Sequence, residues 1–106
     1  MLPPDPFTVS FRKQIVAQTL AMKLPIVSAV RAFVDEGGLL NYGVHLLGLF
    51  RQAAGYVDRI LRGEKPADMP IEQPTRFEMI VNLKTAKALE LSVPAALLAT
   101  VDEVIE

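Results

Sequence analysis

The stretch LPIVSAVRAFVDEGGLLNYG, residues 24–43, contains the pattern that decides the fold. Residues 24–28 form a short apolar run with proline near its entry, which predicts a buried strand. Residues 30–36 predict a brief helix, and Gly37-Gly38 ends it because glycine accepts the left-handed conformation of a helix C-cap. Residues 39–42 predict a second short strand. A strand, a helix and a strand in succession favour parallel strands joined by a helical crossover.

Helices and strands are predicted on both sides of this stretch from the spacing of apolar residues. They are a helix at 9–22, a helix from Leu46 to Leu61 capped by Gly63, an extended segment at 69–73, a strand at 76–83, a helix at 84–91 and a helix from Pro94 to Ile105. This order predicts an α/β fold: a small, mostly parallel sheet with flanking helices, formed by residues 1–106 as a single unit.

Composition limits the classes of function. With 106 residues, the chain is long enough for one domain and one core. A hydrophobic fraction of 51% is typical of a globular chain, and a net charge of −1 gives no electrostatic basis for binding nucleic acid. Because there is no cysteine, the chain has no disulfide, thiolate nucleophile or cysteine metal site.

The N-terminus reads MLPPDPFTVSF, which lacks the basic region and apolar run of a signal peptide. No window approaches the roughly 18 uninterrupted apolar residues that predict a membrane span. A chain expressed as written is therefore expected to be soluble and cytoplasmic.

Residues that could support catalysis are sparse. His45 precedes the long helix without a neighbouring serine or aspartate at a telling spacing, so a solvated or capping role is expected. The HExxH, GxSxG and P-loop motifs are all absent. Asp102, Glu103 and Glu106 are interpreted as an acidic tail that aids solubility. No catalytic residue, metal site or cofactor is predicted, and the chain is not expected to be an enzyme.

Two loops that follow strands are candidate binding sites, because ligands of open α/β sheets gather at the carboxyl ends of strands. One contains Tyr42 and Gly43, with Asn41 beside them. The other contains Asp5, provided that residues 1–3 are the end of a strand. Each has a structural alternative: Tyr42 as a half-buried aromatic residue at a strand end, and Asp5 as a turn or helix cap.

The sequence also carries a set of short motifs that extends over nearly its whole length. They are Gly37-Gly38 with Tyr42-Gly43; Arg51, Ala53, Ala54 and Tyr56-Val57-Asp58; Gly63, Lys65-Pro66-Ala67-Asp68 and Pro70; and Val81-Asn82-Leu83-Lys84-Thr85-Ala86-Lys87 with Leu89. In this combination the chain resembles the C-terminal third of the substrate-binding proteins of tryptophan/tyrosine-type ABC uptake systems. It departs from the family pattern at Glu90, where glycine is usual, and at Asn41, where serine is often found.

The resemblance implies part of a type I periplasmic-binding-protein fold, in which two lobes close on a small ligand. It implies a solute-binding component, or a truncated fragment of one, that binds an amino-acid-like or other small organic ligand without catalysis. Tyr42, Gly43, Asn41 and Asp5 are the expected ligand-binding residues, an ABC permease is the expected partner, and the periplasm or cell surface is the implied location. The alternative is a stand-alone α/β interaction module that forms a homodimer through surfaces left open by the missing lobe.

Overall fold

The computed structural model describes residues 1–2, 4–74 and 76–106. The helices are α1 (Pro6–Ser10), α2 (Arg12–Ala21), α3 (Arg31–Glu36), α4 (Leu46–Leu61), α5 (Leu83–Ala88) and α6 (Ala95–Leu98), with a 3₁₀ turn at Pro66–Asp68. The strands are β1 (Val27–Ser28), β2 (Leu40–Val44), β3 (Phe77–Asn82) and β4 (Glu103–Ile105). The chain divides into two compact units, a larger one of residues 1–43 and 78–106 and a smaller one of residues 44–77.

The four strands form one sheet in the order β1-β2-β3-β4, and both outer pairs are parallel. Between β2 and β3, one backbone hydrogen bond runs from Asn82 N to Leu39 O and another from His45 N to Arg76 O. From the first bond to the second, the residue number rises from 39 to 45 on the β2 side and falls from 82 to 76 on the β3 side. These two central strands therefore run antiparallel. The predicted α/β class, with a small, mostly parallel sheet and flanking helices, is confirmed.

A segment at the N-terminus extends the sheet beyond β1. Leu2 forms an isolated parallel bridge with Ser28, and its amide donates to the carbonyl oxygen of Val27 at 2.8 Å. The binding role considered for Asp5 depended on residues 1–3 being the end of a strand, and Leu2 pairs as a residue of such a strand would. Pro3, the last residue of that predicted strand, lies outside the described residues.

The core of the larger unit joins the sheet to α2, α3 and α5. Its buried apolar side chains are Val16, Ile26, Phe33, Val34, Ile80, Val81, Ala86 and Leu89. Asn82 connects three elements within it: its amide group donates to the carbonyl oxygen of Val34 at 3.1 Å and accepts from the amide of Thr85 at 3.0 Å. The second bond caps α5 at its N-terminus. Gly37 ends α3 with φ +122°, the left-handed conformation that the glycine pair predicted.

Two helix predictions were wrong in part. The helix predicted for 9–22 begins earlier and is divided at Phe11 into α1 and α2. The helix predicted from Pro94 to Ile105 stops at Leu98, and residues 103–105 form β4. Pairing with β3 outweighs the local helical spacing in this terminal segment.

The acidic residues of the C-terminus hold β4 in place, so their interpretation as a solubility tail was wrong for two of the three. The Asp102 carboxylate accepts from the amide of Met79 at 2.8 Å. Glu103 accepts two hydrogen bonds from the Arg31 guanidinium, at 2.5 and 2.9 Å. The hydrogen bond from Arg31 lowers the pKa of Glu103, and the same bond raises the pKa of Arg31.

Candidate functional site

Strand β2 carries three of the four predicted ligand-binding residues on alternating sides of the sheet. Asn41 and Gly43 are buried on one side, whereas Tyr42 lies on the other and is 50% exposed. Of the three side-chain positions, Tyr42 is therefore the one that a ligand in solution can contact directly. Tyr42 is the central residue of β2, which extends two residues beyond it to Val44.

Asn41 is 2% exposed, and its Oδ1 atom has no hydrogen-bond donor among the described residues. Leaving a buried carbonyl-type oxygen without a donor costs about 1–3 kcal/mol. The residue pairs with Ser28 across the parallel ladder, beneath the point where β1 ends and the chain turns toward α3. The unpaired Oδ1 atom of Asn41 therefore lowers the stability of the fold at the position next to Tyr42.

The backbone around Gly43 leaves no room for a side chain at this position. A Cβ atom at this position would lie 2.4 Å from the carbonyl oxygen of Ala29 and 3.1 Å from its carbonyl carbon. Real Cβ atoms essentially never approach so closely, and the neighbour here is backbone. Gly43 therefore allows β2 to pass close to the loop that follows β1, a role that the sequence pattern did not reveal.

Asp5 caps a helix. Its Oδ1 atom accepts from the amide of Phe7 at 2.8 Å, and its carbonyl oxygen accepts from the Thr8 hydroxyl at 2.9 Å. The structural alternative foreseen for Asp5 is therefore present, and its carboxylate remains at the surface.

Leu2, three residues before Asp5, stands in register with the strands that carry Ser28 and Asn41. Leu2, Ser28 and Asn41 stand side by side in parallel register, so the segments that follow them leave the sheet at one edge. Neighbouring strands lie about 4.8 Å apart, which separates the Leu2 and β2 backbones by about 10 Å. The predicted loop at Tyr42 and Gly43 was wrong: β2 continues to Val44, so both residues lie within the strand.

The sequence did not predict an apolar cavity of about 190 Å³ in the larger unit. It is lined by Leu39, Leu40, Val81, Leu91, Ser92, Val93, Pro94 and Leu97. Leu40 and Tyr42 project from the same side of β2, because side chains alternate along a strand. The only related signal in the sequence is the break between the helix predicted at 84–91 and the helix predicted to begin at Pro94.

In the smaller unit, His45 caps α4: its Nδ1 atom accepts from the amide of Gly48 at 3.1 Å. This is the capping role expected from the sequence, and it occupies one of the two ring nitrogens. His45 also lines a cavity of about 200 Å³ with Gln52, Pro74 and Arg76. Within the described ranges, no three histidine, cysteine, aspartate or glutamate residues are grouped as a metal site requires. No helix there has the length and apolar character needed to cross a membrane.

Comparison with known proteins places the chain in a family. A sequence model of the ABC transporter substrate binding protein family matches residues 2–105. No curated protein matches the chain.

Three solved structures share its fold. They are a conserved domain protein from Vibrio cholerae (TM-score 0.89, 22% identity), an ABC domain in complex with L-Trp from Streptococcus pneumoniae (0.87, 26%) and a ligand-free, open substrate-binding protein with adhesive properties from Clostridium difficile (0.68, 25%). The matches cover 96%, 96% and 97% of this chain but 34%, 35% and 34% of the other chains.

The chain thus spans about a third of the length of these solved structures, and the predicted partial binding-protein fold is confirmed. Together with the family match over residues 2–105, this shows that the chain belongs to the ABC transporter substrate-binding protein family.

Proposed function

We propose that this chain takes part in binding an amino-acid-like solute for an ABC importer, without catalysis. The observation that carries the proposal is the family match over residues 2–105. The L-Trp complex of the Streptococcus pneumoniae structure, which superposes on 96% of this chain, supports an amino acid as the class of ligand.

The proposed binding surface is the sheet edge that carries Tyr42 and Asp5. The Tyr42 ring offers an apolar face and a polar hydroxyl, which suits the side chain of an aromatic or branched amino acid. The Asp5 carboxylate, two strands away, suits the ligand's ammonium group. A separation of about 10 Å between these strands fits the span from the amino group to the far end of a large amino acid.

Asn41 and Gly43 act in this proposal by shaping β2 beneath the ligand. Gly43 allows the strand to approach Ala29 closely, and Asn41 fills the buried side directly behind Tyr42. The exposed side of β2 supplies one wall only. Because typical pockets bury 70–90% of a ligand, we expect this wall by itself to bind weakly, with a dissociation constant of roughly 1 mM or above.

The wider role follows from the family and is likewise part of the proposal. An importer's binding protein delivers its solute to a permease, so an ABC permease is the proposed protein partner and the periplasm or cell surface the proposed location. Within this role the chain is one portion of a two-lobed binding protein, because it spans about a third of its solved relatives.

A thermal-shift screen tests the proposed ligand class. The chain is heated with L-tryptophan, L-phenylalanine, L-leucine or L-isoleucine at up to the solubility limit, with L-glutamate for comparison. A ligand at ten times its dissociation constant stabilises by about 1.4 kcal/mol, which raises Tm by several degrees in a chain of this size. We expect an aromatic or branched amino acid to raise Tm and L-glutamate to leave it unchanged.

Tyr42→Ala is expected to abolish the shift, and Phe7→Ala is its matched control. Phe7 is an aromatic residue of similar size, 70% exposed on α1, whose removal leaves β2 untouched. A shift that persists in the Tyr42 variant, or that no amino acid produces in the wild type, contradicts the proposal.

A further inference from the structure

A buried oxygen atom behind the proposed solute site has no hydrogen-bond donor. The Oδ1 atom of Asn41 lacks one among the described residues, although the residue is only 2% exposed. The larger unit already encloses this atom, so neither a further lobe nor a second copy can reach it from outside without a rearrangement. Because buried polar atoms in folded proteins are almost always hydrogen-bonded, the exception requires an explanation within the chain itself.

The sheet places the hydroxyl of Ser28 beside Asn41. The two residues are partners in the parallel ladder of β1 and β2, and Ser28 is also buried, with 1% of its surface exposed. Residues in register point to the same side of a sheet, and neighbouring strands lie about 4.8 Å apart. A hydroxyl donor and its acceptor oxygen bond at about 2.5–3.0 Å, which rotation of two short side chains across this gap can achieve.

In this structure the Ser28 hydroxyl donates to a carbonyl oxygen that has a second donor. It bonds to the carbonyl oxygen of Val30 at 3.1 Å, and the amide of Phe33 donates to the same oxygen at 3.2 Å. One acceptor thus has two donors while a buried acceptor one strand away has none. Since the Phe33 amide would stay in place, the hydroxyl can turn away from Val30 without leaving that carbonyl unpaired. The alternative arrangement gains a donor for Asn41, and it costs the movement that brings the two side chains together.

The backbone of β2 connects this pair to Tyr42. On one side of Tyr42 lies Asn41, the partner of Ser28, and on the other lies Gly43, which passes close to the carbonyl group of Ala29. Both neighbours of Tyr42 are therefore packed against residues 28–29. A solute that contacts Tyr42 better in one arrangement shifts the equilibrium toward it, by as much as its affinities for the two arrangements differ.

We propose that Ser28 is a hydrogen-bond switch behind the solute site: its hydroxyl donates to Val30 in the free chain and to Oδ1 of Asn41 when a solute binds against Tyr42. The switch rests on the proposed function and regulates that same site, because solute binding pairs an oxygen that the free chain leaves unpaired. Ser28 is a positioning residue, since its buried side chain does not touch the solute.

The amide of Phe33 reports the switch in a ¹H–¹⁵N NMR titration of the 106-residue chain with L-tryptophan. Phe33 is 0% exposed and does not touch the solute, but its amide becomes the one remaining donor to Val30, among the described residues, when Ser28 turns away. We expect its resonance to move with the same saturation curve as those of residues 41–43.

Two variants fix the switch in opposite positions. In Ser28→Ala the donor is gone, so the Phe33 resonance should lie near its solute-bound position from the start and stay there. Tryptophan should still shift residues 41–43 in this variant, with a dissociation constant about fivefold higher because one hydrogen bond is lost. Asn41→Leu removes the acceptor instead, so the Phe33 resonance should stay at its free position. Its Tm should be no lower than that of the wild type, because no buried oxygen is left unpaired.

Ser10→Ala is the matched control. The Ser10 hydroxyl also donates to a backbone carbonyl oxygen, that of Phe7, at 2.7 Å, and it lies on α1 away from β2. In this variant the Phe33 resonance should move as it does in the wild type.

The outcomes separate the switch from the proposed function. A Phe33 resonance that stays still while residues 41–43 follow a saturation curve overturns the switch and leaves the proposed function intact. Movement of Phe33 in Ser28→Ala equal to that in the wild type overturns the switch as well. If tryptophan shifts no resonance of the wild type, both proposals fail.

Discussion

Replacing Gly43 by alanine tests how β2 is built. The new Cβ atom would lie 2.4 Å from the Ala29 carbonyl oxygen, whereas ordinary contact begins at 3.4 Å. The two backbone segments must therefore separate by about 1 Å, in a sheet that Ser28 and Asn41 hold in register. Forcing an extra carbon into a packed site costs about 1–3 kcal/mol.

Urea unfolding followed by far-UV circular dichroism measures this cost. We expect the Gly43→Ala variant to lose about 1–3 kcal/mol of unfolding free energy. In a thermal scan, each kcal/mol lowers Tm by about 4–8 °C.

Gly55→Ala is the matched control, because the same atom is added where nothing lies within 4 Å. Inside a helix this change should stabilise by up to about 1 kcal/mol. A Gly43→Ala variant as stable as the wild type would show that β2 does not approach Ala29 in this way.

Three further substitutions probe other parts of the larger unit. Asn82→Ala removes the cap of α5 and leaves a buried carbonyl without its donor, so urea unfolding should show a loss of about 1–3 kcal/mol; no loss would contradict the bonding assigned to this side chain. Glu90 adopts φ +58°, where glycine is easier, so Glu90→Gly should raise Tm, and a lower Tm would contradict that strain. The hydrogen bond from Arg31 lowers the pKa of Glu103 below its ordinary 4.5. The ionised carboxylate therefore stabilises the fold above pH 4.5, and this stabilisation is lost as the pH falls through the lowered pKa. The difference in unfolding free energy between wild type and Glu103→Gln, below about 1 kcal/mol because the pair is exposed, should therefore shrink from pH 7 to pH 3; a constant difference would refute the linkage.

Local signals predicted the part of the fold in which each residue's conformation is set by its neighbours in sequence. The glycine pair after α3 is an example, since Gly37 needs its left-handed conformation whatever the sheet does. Apolar periodicity likewise predicted α4, since the apolar residues from Leu46 to Leu61 that indicated a helix all lie within it. The α/β class followed from the order of these elements.

Long-range pairing decided the parts that the sequence did not predict. Residues 103–105 become a strand because Asp102 and Glu103 bond to Met79 and Arg31, which are distant in sequence. The antiparallel pairing of β2 with β3 also depends on contacts that no short window contains.

In the candidate site, too, some features follow from the local sequence and others depend on contacts with residues distant in sequence. Strand alternation is a local property, and it places Tyr42 on an exposed side of β2. The packing of Gly43 against Ala29, and the buried environment of Asn41, depend on the neighbouring strand. Asp5 caps α1 while remaining exposed, so its structural role does not remove it from the proposed binding role.

The most direct test of the central claim is a two-dimensional ¹H–¹⁵N NMR titration of the labelled 106-residue chain with L-tryptophan. Chemical-shift changes detect binding even at roughly millimolar dissociation constants. The account predicts saturable changes at the amides of residues 41–43 and near Asp5, which disappear in the Tyr42→Ala variant and persist in Phe7→Ala. An absence of saturable changes up to the solubility limit of tryptophan, or changes confined to other surfaces, would contradict it.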